Sequence, residues 1–154
     1  MKTRRLIMVM AALAVPVGSV AADEIRLEDS PAAVQQAVLA NSRDGRVDDI
    51  ELSPDGQTYE VEVNLPRLRE RQLRIAADGT VRETIEDIDI AEAPEPVRRT
   101  IETETTPGAR LEEVERKTAA GTTVFLLDID LPDDRDLYLE VSDNGSILNR
   151  IVRD

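Results

Sequence analysis

The stretch "VNLPRLRERQLRIAADGTV" (Val63–Val81) returns later in the chain as "IDLPDDRDLYLEVSDNGSI" (Ile129–Ile147), with apolar, proline and glycine positions aligned and the loop charges inverted. Each copy reads as the end of one strand closed by a proline (Pro66, Pro132), followed by a second strand. That second strand carries Leu73 and Ile75, or Leu139 and Val141, on one face. A hairpin dipeptide then follows, Asp78-Gly79 or Asn144-Gly145, and a further strand opens at Val81 or Ile147.

The match extends upstream. Tyr59, Val61, Val63 and Leu65 share one face of the preceding strand, as do Phe125, Leu127, Ile129 and Leu131. Before these lie "VDDIE" (Val47–Glu51) and "LEEVE" (Leu111–Glu115), and before those the segments "SPAAVQQAV" (from Ser30) and "APEPVRRTI" (from Ala93). The latter read as helices: Val34/Val38 and Val97/Ile101 form a buried stripe at four-residue spacing, and Ser30 precedes a first-turn proline as a candidate N-cap. Gly45 and Gly108 follow the helices. The order is a helix and four strands, twice. The expected fold class is α+β, as two tandem helix-plus-four-stranded antiparallel sheet repeats over residues 23–87 and 88–154. Each sheet has one face on its helix and the other free for recognition.

Residues 1–22 precede the first repeat. Lys2, Arg4 and Arg5, an apolar run from Leu6 to Val17 and the small ending Val20-Ala21-Ala22 read as a signal peptide rather than a membrane span. The mature chain is therefore expected to begin near Ala22 or Asp23 and to be periplasmic or secreted. Of 19 basic residues these three leave with the leader, so 16 remain against 32 acidic ones, a charge of −16. Nucleic acid and anionic membrane are poor partners for such a chain, whereas a basic protein or a divalent cation is attracted. The absence of cysteine excludes disulfides and a lipid anchor, and with two tyrosines, one phenylalanine and no tryptophan the core must be aliphatic.

Taken together, the two patterns resemble tandem copies of the PepSY-like repeat, the helix-plus-sheet module also found doubled in β-lactamase inhibitory proteins. The resemblance covers nearly all of the mature chain and rests on core and turn positions. It implies an exported, non-catalytic protein of a group in which some members bind and restrain peptidases or β-lactamases. The doubled inhibitors carry disulfides and an aromatic-rich contact surface. This chain has neither, which points away from β-lactamase as its target.

The residues themselves point the same way about chemistry. Without histidine or cysteine the usual general base, thiol nucleophile and zinc or iron ligands are missing. No phosphate loop or nucleophile elbow is present. The expectation is no enzyme, no cofactor and no metal. Acid pairs such as Asp48-Asp49 and Glu112-Glu113 read as solvated strand edges, and "DIDLPDDRD" (Asp128–Asp136) lacks the ligand spacing of a helix-loop-helix calcium site.

Two features suggest partner contacts. Arg67, Arg69, Arg71 and Arg74 against Glu70 make one hairpin basic, while Asp133, Asp134, Asp136 and Glu140 against Arg135 make its counterpart acidic. Alternation also turns Leu126 and Tyr138 outward, where the first repeat has Glu60 and Gln72, and an outward tyrosine beside leucine suits an interface anchor. The expected function is a protein-binding module that restrains a secreted or periplasmic enzyme such as a peptidase, using Leu126, Tyr138, Arg67, Arg69, Arg71 and Arg74. The alternatives are an envelope module that binds a small molecule or cation, or an interaction domain that senses envelope conditions. No oligomeric state follows from these patterns.

Overall fold

The computed structural model describes residues 23–154, so the expected signal peptide (1–22) lies outside the described residues. Among the described residues nine strands follow one another: β1 (Asp23–Glu24), β2 (Arg46–Leu52), β3 (Thr58–Leu65), β4 (Arg69–Ala76), β5 (Val81–Asp87), β6 (Arg110–Ala119), β7 (Thr122–Asp130), β8 (Asp136–Ser142) and β9 (Ile147–Arg153). Each pairs antiparallel with the next, giving one sheet in chain order. This corrects the expected fold class. The molecule is a mostly-β protein built on a single sheet of eight long strands and one very short one, not two helix-plus-four-strand units. The two halves fuse because β5 does not end as a free edge: Glu83–Asp87 pairs with Glu115–Ala119 of β6. Hydrogen-bonding groups that would otherwise need solvent are satisfied there by the other half of the chain.

Two ten-residue helices, α1 (Ala32–Asn41) and α2 (Glu95–Glu104), lie against one face. Both start after a proline, Pro31 and Pro94, at the N-cap position. Ser30, expected to cap α1, instead donates its hydroxyl to the Leu27 carbonyl. Val34 and Val38 of α1 pack with Ile50, Tyr59, Val61, Val63, Leu73 and Ile75, while Val97 and Ile101 of α2 pack with Phe125, Leu127, Ile129, Leu137, Leu139 and Val141. Two hairpin glycines fix how the helices dock. A Cβ at Gly79 or Gly145 would come within 2.7 Å of the Ala33 or Pro96 carbonyl oxygen, and both have φ of +86°, so each helix start rests directly on a hairpin tip.

Partners directly opposite across a ladder share a face. The row Val63–Arg71–Glu86–Arg116–Phe125–Val141 therefore runs across the sheet on the helix side. Its middle is charged and its ends apolar, so the two cores are separated by an ionic strip.

Candidate binding surface on the open face of the sheet

The opposite face carries neither helix. Its rows follow from the same register: Asp87–Glu115–Leu126–Glu140, and beside it Glu113–Asp128–Tyr138–Ile151. Acidic side chains thus meet at the middle of the sheet, where strands on both sides limit their access to water. Asp87, Glu113 and Glu115 each place a carboxylate oxygen within 4.8 Å of the other two, close enough for one cationic group to bridge them. Asp87 accepts the backbone N–H of Glu70 (2.8 Å).

Such crowding raises the cost of ionisation. Burial, then Glu113, Asp87, Glu70 and Asp128, pushes the Glu115 carboxyl up to about 8, so it holds a proton at neutral pH. Burial, then Asp136, Asp130 and Glu112, pushes Asp128 up to about 6, and its Oδ1 is buried without a hydrogen-bond partner. Glu62 is also raised, by burial first and by Glu70 and Asp49 next. The periphery is neutralised by ion pairs: Lys117 with Glu83 (2.9 Å), and Arg74 with Glu60 (2.7 Å). An incoming guanidinium or ammonium group would relieve repulsion at the centre more than at the rim.

The residues expected to bind a partner do not form one patch. Leu126 lies on the open face but is only 6% exposed, enclosed in mid-sheet between Glu115 and Glu140, so it is not the outward apolar spot expected. Tyr138 is on that face and partly accessible; its hydroxyl donates to Asp136 (3.3 Å), and the Arg153 guanidinium lies 5.2 Å from its ring centre. The four arginines separate. Arg74 is on the open face, paired with Glu60. Arg69 and Arg71 share the helix face with Leu73 and Ile75, Arg69 bridging to Glu92 (2.7 Å), and Arg71 is 8% exposed. Arg67 sits exposed in the Pro66–Leu68 turn with φ of +67°. The expected basic fork is therefore dispersed by strand alternation. What the sequence reading missed is the acidic centre: Glu113 and Glu115 alternate with the inward Val114, a visible signal, but only the β5–β6 pairing brings Asp87 to them.

No family model matches the chain, and no curated protein matches it in sequence. Solved structures do match. A DUF2874 family protein from Bacteroides uniformis superposes with a TM-score of 0.62 at 14% identity, covering 80% of this chain and 89% of that one. A protein from Bacteroides eggerthii described as periplasmic gives 0.63 at 13% identity, covering 80% and 88%. A BLIP-like protein from Bacteroides fragilis gives 0.60 at 16% identity, covering 80% and 86%. None of these three carries the PepSY name. At such identities the likeness is one of fold, and the fold of this chain is BLIP-like.

Proposed function

We propose that the chain is an exported, non-catalytic protein-binding module of the periplasm, that its open sheet face docks a basic surface, and that the target is a secreted enzyme such as a peptidase. The observation that carries the reading is a wide face free of either helix with an acidic centre and a partly exposed tyrosine. Eight strands spaced at about 4.8 Å and roughly 20 Å long give a face of roughly 700 Å², near the ~800 Å² per partner of a stable interface. The BLIP-like fold and the periplasmic description of one neighbour support the same reading. So does the leader sequence, and N-terminal sequencing of exported material should find Ala22 or Asp23 first rather than Met1.

The test is capture from a periplasmic extract by the mature chain and by Glu113→Lys, followed by hydrolysis assays on what is captured. The expected result is a hydrolase whose turnover falls when the chain is added and whose binding weakens with salt. Tyr138→Ala should cost about 2 kcal/mol of affinity. Equal capture by Glu113→Lys would remove the open face from the reading, and undiminished turnover would remove inhibition. Saturable calcium uptake in calorimetry, lost in Glu113→Gln, would instead move the acidic centre to the cation-binding alternative.

A further inference from the structure

A second charged centre lies on the helix side, in the ionic strip between the two cores. Glu86, 3% exposed, accepts from Arg43 Nη1 (2.7 Å) at one oxygen and from Arg71 Nη1 (2.9 Å) at the other, with Arg116 Nη2 3.6 Å away. The adjacent Arg69–Glu92 pair is self-neutral. Three guanidiniums thus share one carboxylate, an excess of two positive charges within a strongly acidic chain. One buried glutamate does not require three arginines.

Three further observations suggest that the excess serves a ligand. Arg43 reaches Glu86 from a loop residue with φ of +49°, a left-handed backbone that non-glycine residues rarely adopt. Arg71 is buried while its Nε has no hydrogen-bond partner. Arg43 and Arg116 remain open to solvent, with side chains 52% and 32% exposed. Burial first, with smaller contributions from Arg43 and Arg116 and against the opposing pull of Glu86, lowers the Arg71 guanidinium from its ordinary value.

We propose that Arg43, Arg71 and Arg116, gathered around Glu86 between the two helices, form a binding site for an oxyanion, either a carboxylate or a phosphate group. Planar guanidinium forks suit both. Arg71 supplies buried charge, while Arg43 and Arg116 supply the accessible donors. The site is on the other side of the sheet from the acidic face and stands independently of what docks there.

The test is calorimetric titration of the mature chain with inorganic phosphate and, separately, with acetate, at ionic strength held constant by chloride. Saturable binding of one or both is expected, and the anion that saturates identifies the group recognised. Arg43→Gln and Arg116→Gln alter partly exposed side chains and should fold; each should weaken binding about tenfold, as loss of one charged hydrogen bond implies. Arg74→Gln, on the opposite face, should bind as the unsubstituted chain does. Absence of saturable binding by either anion, or equal affinity in the Arg43 and Arg116 variants, would overturn the proposal.

Discussion

Glu115→Gln is expected to stabilise the protein at pH 9 by on the order of 5 kcal/mol while changing it little at pH 4, because each unit of pKa displacement is worth about 1.4 kcal/mol. The folded chain holds the Glu115 proton up to about 8, against 4.5 for a free glutamate. Between those values the folded state binds more protons than the unfolded one, so stability falls as pH rises through the window. Below it both states are protonated and nothing is lost. Glutamine keeps the shape and polarity of the protonated acid but cannot ionise, so the variant should lose this part of the slope. Urea unfolding of both proteins at pH 4, 7 and 9 measures it. Parallel pH profiles would mean that water or side-chain movement already accommodates the Glu115 charge. The same measurement bears on the open face, since a partner's cation placed beside Glu115, Asp87 and Glu113 would favour the ionised form and release a proton on binding.

Why this centre escaped sequence reading, when so much of the framework did not, is a matter of which contacts alternation encodes. Period-two patterns assign faces, and they do so correctly for Tyr59, Val61 and Val63 and for Phe125, Leu127 and Ile129, all of which are buried against the helices. The same parity places Arg71 with Leu73 and Ile75, so its burial on the helix face was legible and the hairpin's count of charges obscured it. Alternation does not say which strand edges meet. A boundary drawn at 87/88 falls at the rung where Asp87 opposes Glu115, and only the fused sheet reveals Glu113 and Glu115 as central and half-buried rather than a solvated edge. Leu126 is the converse case. Its face was right, but mid-sheet neighbours cover it, and a residue's depth within a sheet is set by the number of strands beyond it.

Glu86→Ala should cost about 3–5 kcal/mol of folding stability, the range for removing one partner of a buried ion pair. Among the described residues Glu86 is the one carboxylate that pairs with Arg71, and both are buried where β4 pairs β5. Its loss leaves the Arg71 guanidinium without a counter-charge, beside two further cations. Arg43 and Arg116 can turn toward water, being partly exposed, but Arg71 cannot without opening the strip that joins the two cores. Glu86 thus neutralises the ionic strip between the two cores, beside the β5–β6 pairing that makes the sheet one. Chemical denaturation monitored by far-UV circular dichroism measures the loss. Arg43→Gln provides the comparison: it removes one exposed partner, leaves Arg71 on Glu86, and should cost about 1 kcal/mol or less, as exposed ion pairs do. If Glu86→Ala were no more destabilising than Arg43→Gln, the guanidinium of Arg71 would have to reach solvent or another acceptor, and the strip would be a hydrated cleft rather than a sealed ionic seam.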